Sequence, residues 1–148
     1  MSDMRELYQE VILDHNKKPR NCYVMKCATT TADGHNPLCG DTVKVYLRVE
    51  DGVIEEISFQ GEGCAICTAS TSLMTESVKG RKVDEVKEIF HGFHDMLTGV
   101  AEEQGLELGK LQVFEGVREY PVRVKCATLA WHTLNAAMDG DDDKVTTE

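Results

Sequence analysis

Val43-Lys44-Val45-Tyr46-Leu47-Arg48-Val49-Glu50-Asp51-Gly52-Val53-Ile54-Glu55-Glu56-Ile57-Ser58-Phe59-Gln60-Gly61-Glu62-Gly63-Cys64 is the stretch that decides the fold. Val43, Val45, Leu47 and Val49 alternate with Lys44, Tyr46 and Arg48, the two-residue period of a strand with one buried face. Asp51-Gly52 is a dipeptide favoured in tight hairpin turns, and Val53 to Gln60 reads as the returning strand. After Gly61-Glu62-Gly63 the pattern switches to a helix over about Ala65 to Lys79, with Gly80 as its stop.

Working outward, Val24 to Thr31 predicts a further strand, and Asp3 with Glu6 resembles a capping box. Leu7, Tyr8, Val11 and Ile12 follow at helical spacing, in a helix that ends before Pro19. On the other side, a helix opens near Asp84 with an apolar stripe of Val86, Ile89, Phe90, Phe93, Met96, Leu97 and Val100. Ala101 to Glu119 is less regular and reads as a short packed helix or an ordered loop. Pro121 suits a helix start, and Val122, Cys126, Leu129, Ala130, Thr133 and Ala137 form the expected buried face of the last helix. Strands first and helices afterwards give an α+β fold, a small antiparallel β-sheet with helices packed on one side. Residues 1–138 read as a single domain and 139–148 as an acidic, disordered tail around Asp139-Gly140-Asp141-Asp142-Asp143.

The 148 residues are 41% hydrophobic, enough for one ordinary core. No apolar run approaches the roughly 18–20 residues of a membrane span, so no membrane partner is expected. The start, Met1-Ser2-Asp3-Met4-Arg5-Glu6, lacks the apolar centre of a secretory signal. The expectation is a cytoplasmic protein whose six cysteines are reduced thiols or metal ligands. A net charge of −10 argues against nucleic acid, whose binders carry a basic face.

Three cysteines sit in metal-friendly settings. Cys39 and Asp41 lie in Asn36-Pro37-Leu38-Cys39-Gly40-Asp41, Cys64 follows Gly61-Glu62-Gly63, and Cys126 lies in Arg123-Val124-Lys125-Cys126-Ala127. An antiparallel hairpin returns its chain to where it began, so the Cys39/Asp41 segment and Cys64 should be neighbours. Cys126, read in the first turn of the last helix, then needs only that helix end to dock at the same edge. Three thiolates and a carboxylate complete a tetrahedral shell for zinc, and iron in a cluster accepts similar donors. Spacing alone does not name the metal.

Residues Met4 to Met138 also resemble a known family. Tyr8-Gln9-Glu10-Val11-Ile12-Leu13-Asp14-His15, Asn36-Pro37-Leu38-Cys39-Gly40-Asp41, Phe59-Gln60-Gly61-Glu62-Gly63-Cys64 and Arg123-Val124-Lys125-Cys126-Ala127-Thr128-Leu129-Ala130-Trp131 are similar to the IscU/NifU-N family of iron–sulfur cluster assembly proteins. The resemblance implies the SufE/NifU-like fold. IscU scaffolds carry a histidine before the last cysteine and a Leu-Pro-Pro-Val-Lys chaperone-docking motif upstream. Lys125 and Tyr120-Pro121-Val122-Arg123 stand at those places here, and Thr98 to Glu119 resembles the insertion typical of the SufU branch.

The SufU resemblance implies a zinc-dependent sulfurtransferase that accepts persulfide sulfur from a SufS-like cysteine desulfurase and passes it towards a SufBCD-like scaffold complex. It implies Cys39, Asp41, Cys64 and Cys126 as zinc ligands and Cys39 as the sulfur acceptor. Arg123 and Lys125 are candidates to offset the charge of the site. The alternative is a non-enzymatic scaffold on which a two-iron, two-sulfide (2Fe–2S) cluster is assembled at the same four residues. A structural zinc module is a third reading.

Other residues read as structural. Cys67 lies three after Cys64 but in helical context, as a packing residue, and Cys22 and Cys27 flank a strand start. His91 and His94 are expected at a surface or edge, His132 at a surface or interface, and His15 as a cap. His35 could approach the site. No Ser/His/Asp arrangement, phosphate-cradling loop or paired acid–base carboxylates stand out.

Overall fold

The computed structural model describes residues 2–36, 40–98, 121–139 and 145–146. The hairpin forms as its pattern requires. Strands β2 (Asp41–Glu50) and β3 (Val53–Glu62) pair antiparallel around Asp51 and Gly52, both at positive φ, as primed hairpin turns demand. A register shift at Arg48/Val49 marks a bulge near the turn. Strand β1 (Thr30–Asn36) pairs antiparallel with β2 on its other side.

The expected strand over Val24 to Thr31 is corrected by this placement. Only Thr30 and Thr31 of that stretch lie in the strand, and Ala32–Asn36, with Asp, Gly, His and Asn among its five residues, enters the sheet because β2 and a buried helix hold it there. Val145–Thr146 (β4) pairs parallel with β1 and completes the order β3-β2-β1-β4. It belongs to the stretch read from the sequence as an acidic tail.

Among the described residues, four helices accompany the sheet: α1 (Ser2–Lys17), α2 (Ala65–Val78), α3 (Val83–Thr98) and α4 (Pro121–Met138). The architecture is α+β, as the element order implied. The Asp3–Glu6 cap and the stretch 101–119 fall outside the described side chains and residues. No described helix is long and apolar enough to cross a membrane.

Helix α4 departs from the amphipathic pattern expected of it. Residues 126–131, 133, 134, 136 and 137 are buried, so it is covered nearly all round. It packs on β1 and β2 on one side and on α2 and α3 on the other. Trp131 is wholly buried, its ring 5.0 Å from Phe93 and stacked at 6.1 Å on Phe90. His132 is half-buried beside Phe90 and His94; desolvation first and the neighbouring His94 second lower its pKa below the ordinary histidine value. His91 has an acidic neighbour in Asp95, one turn on, at 3.2 Å.

His15 does more than cap. It is 2% exposed, with Nδ1 2.7 Å from Ser72 Oγ and Nε2 3.5 Å from Glu76, and Ser72 Oγ also accepts the Arg20 N–H. These bonds tie α1 to α2. Cys67 packs in the core at 3% exposure, and Cys22 and Cys27 are exposed.

Gly34 sets how closely α4 lies on β1. A Cβ at this position would stand 2.0 Å from Thr133 Oγ1 and 3.1 Å from Leu129 Cδ1. Thr133 Oγ1 is held by its hydrogen bond to the Leu129 carbonyl. Gly34→Ala is therefore expected to destabilise the protein by about 1–3 kcal/mol through overpacking. Urea unfolding of the single and double variants checks this: Thr133→Ala should recover part of the loss, whereas strictly additive effects would mean the two positions do not press on each other.

Candidate metal centre

Strand alternation aims the ends of β1 and β2 at α4. Ala32, Gly34 and Asn36 on β1, and Asp41, Val43, Val45 and Leu47 on β2, all belong to the buried series of their strands. Asn36 and Asp41 are register partners, so two buried polar side chains sit side by side at one end of the sheet. Thr42 pairs with Glu62 across the hairpin, which brings the chain leaving β3 back beside Asp41.

Cys64 then caps α2. Its side chain accepts the N–H of Cys67 at 3.4 Å, and its own N–H donates to Asp41 Oδ1 at 2.9 Å. The other carboxylate oxygen, Oδ2, lies 4.0 Å from Cys64 Sγ. One oxygen of Asp41 is thus held by the backbone while the other faces the sulfur. Cys126 comes from α4, in its second turn rather than the first, and is wholly buried.

Asp41, Cys64 and Cys126 each offer a ligand atom, and these atoms lie within 4.8 Å of one another. Donors around one tetrahedral zinc, with Zn–S bonds of about 2.3 Å, stand about 3.5–4 Å apart. A small inward movement therefore fits the three donors to a single ion. Two sulfurs with one oxygen also suit the iron of a cluster. Cys39 falls outside the described residues.

Arg123 is exposed and Lys125 half-buried, and neither forms an ion pair among the described residues. His35 alternates with Asn36 on β1 and so faces away from the buried series. Cys67 contributes its backbone N–H to Cys64 rather than its sulfur to the cluster.

Sequence reading passed over two residues at the site. Asn36, 0% exposed, donates from Nδ2 to Cys126 Sγ at 3.6 Å. Its place in the Asn-Pro turn signal hid that role, and the phase it shares with Ala32 and Gly34 emerges only once β1 is placed. Gly63 is the second: a Cβ there would stand 2.6 Å from Asp41 Oδ1.

Comparison with known proteins bears on the same residues. The NifU-like N terminal domain family matches residues 7–127. A zinc-dependent sulfurtransferase SufU from Bacillus subtilis strain 168 is 36% identical over 133 residues, covering 90% of this chain and 90% of the relative. An iron–sulfur cluster assembly scaffold protein IscU from Streptococcus pyogenes serotype M1 is 35% identical over 138 residues, covering 93% of this chain and 86% of the relative. Among solved structures, a protein described as a cluster assembly scaffold for the SUF system of Fervidobacterium islandicum AW-1 superposes with a TM-score of 0.84 at 34% identity, covering 90% of this chain and 97% of that one.

The Gly63 contact yields a prediction. Gly63→Ala should displace the Asp41 carboxylate and weaken divalent-metal binding by about tenfold or more. Competition against a chromophoric chelator measures it; unchanged affinity would mean that Asp41 is not a ligand or that the turn relaxes freely.

Proposed function

The chain belongs to the NifU-like N terminal domain family, and on that premise we propose that it is a zinc-dependent acceptor of persulfide sulfur in iron–sulfur cluster assembly. The observation that carries the reading is the meeting of Asp41, Cys64 and Cys126 from three separate elements, with Cys39 two residues before Asp41 in the chain. Covalent geometry keeps residues so spaced within about 7 Å, Cα to Cα, so Cys39 is the natural fourth ligand. Zinc bound there would hold thiols deprotonated while blunting them as nucleophiles.

Cys39 is the acceptor. It lies between β1 and β2, whereas Cys64 caps α2 and Cys126 is buried in α4. With zinc held by these residues, a replacement ligand offered by a partner cysteine desulfurase, SufS-like, would leave Cys39 as a free thiolate. That thiolate attacks the outer sulfur of the enzyme's persulfide: a new S–S bond forms on Cys39, the old one breaks, and the electron pair leaves on the enzyme's cysteine thiolate. The proton stays with the transferred sulfur. No oxidant or reductant is consumed, and the sulfur moves on to a SufBCD-like scaffold complex. The reaction is that of a cytoplasmic sulfurtransferase acting within a single domain, residues 1–138.

A second reading is favoured by the relatives named IscU, of similar identity and coverage. In it, the same four residues hold a 2Fe–2S cluster under assembly and the protein is a scaffold. Metal analysis after purification without oxygen separates the two. One zinc per chain in a colourless solution is expected; iron with inorganic sulfide and a brown colour would establish the scaffold instead.

Cys39→Ser should abolish both persulfide loading and the stimulation of alanine release by the desulfurase. A variant that still does both would remove Cys39 as the acceptor. Metal removal should also lower stability by several kcal/mol, since the ligands join three segments. An unchanged melting temperature after chelation would show that they are no folding staple.

A further inference from the structure

We infer that Asn36 is a positioning residue of the metal centre, its side-chain amide holding the Cys126 thiolate by an N–H···S hydrogen bond. The inference rests on Cys126 being a ligand, as proposed above. It goes further in naming what orients that ligand and tempers its charge.

The two described cysteine ligands solve the same problem differently. Cys64 is the N-cap of α2, where free backbone N–H groups point at it, and Cys67 N–H supplies the bond. Cys126 is the sixth residue of α4, past the first turn, so the backbone N–H groups around it are committed to helix carbonyls. A donor to its sulfur has to come from another element. Asn36 is that donor, with Nδ2 3.6 Å from Sγ.

The fold builds this contact deliberately. Asn36 ends β1 in phase with Ala32 and Gly34, and Gly34 has no Cβ to hold α4 away. Its register partner is Asp41, so one strand pair delivers both a carboxylate and an amide to the same thiolates. An amide suits a buried site better than an ammonium or guanidinium. It donates to sulfur without adding a charge that must itself be desolvated. Two cysteine sulfurs and a carboxyl group lie close together here, and each described ligand receives an N–H: Asp41 from Cys64, Cys64 from Cys67, and Cys126 from Asn36. Such outer partners fix ligand orientation and strength at metal sites.

The test uses the full chain loaded with cobalt or with cadmium-113. In the cadmium protein, the Asn36 side-chain amide should show scalar coupling to the metal through Cys126 Sγ, as should the Cys67 backbone N–H through Cys64. Coupling at Cys67 with none at Asn36 would overturn the inference, and this measurement needs no variant. In the cobalt protein, Asn36→Leu should move the thiolate-to-metal charge-transfer band to lower energy, because a thiolate without its hydrogen bond gives up an electron more readily. Cobalt affinity should fall by about tenfold to a hundredfold.

A variant with the wild-type band and affinity refutes the role, whatever its melting temperature. A wild-type protein that binds neither metal overturns the site itself, an outcome distinct from a bound metal indifferent to Asn36.

Discussion

The hydrogen bond from Cys64 N–H to Asp41 Oδ1 closes the open end of the β2–β3 hairpin, and the arrangement of the site follows from it. It joins the first residue of one strand to the N-cap of the helix that follows the other. It therefore fixes the direction in which α2 leaves the sheet. The same bond occupies one carboxylate oxygen and turns the other towards sulfur, so Asp41 is set up to bind a metal through a single oxygen. Gly63 makes room for this contact, since any side chain there would press on the carboxylate.

Burial gives the arrangement its energetic character. Asp41 and Cys126 are both 0% exposed, and no charged side chain among the described residues pairs with Asp41. A carboxylate beside thiols in such a place is costly when ionised and uncompensated. Hydrogen bonds from neutral donors soften the cost but do not cancel the charge. A divalent cation would offset part of it, and metal binding at this cluster would then be coupled to folding.

Much of this was legible in the sequence, and the rest was hidden for identifiable reasons. The β2–β3 hairpin could be read because Val43 to Val49 keeps a strict two-residue period and Asp51-Gly52 has specific turn chemistry. The close approach of Asp41 and Cys64 then followed from hairpin geometry alone. The position of β1 could not be read, because Thr30–Asn36 has poor intrinsic strand propensity and owes its pairing to β2 and α4. The all-round burial of α4 was likewise missed: its exposed-looking residues are covered by α2 and α3, which sequence periodicity does not report. Arg123 and Lys125 were read at the site from their adjacency to Cys126; in the structure Arg123 is exposed and Lys125 half-buried.

A sulfur acceptor meets two opposed demands, to keep its ligands in place and to give one of them up. The element assignments divide these demands among the cysteines. Cys64 is fixed by the cap of α2 and Cys126 by the packing of α4 between sheet and helices; moving either sulfur far would disturb a helix. Each also has an N–H donor that lowers the electron density on sulfur, and a thiolate so stabilised is the poorer nucleophile. Reactivity is thereby steered away from these two residues. In the function proposed here it falls to Cys39, two residues before Asp41 in the chain and next to Gly40, whose φ of +72° is a backbone conformation that glycine adopts readily.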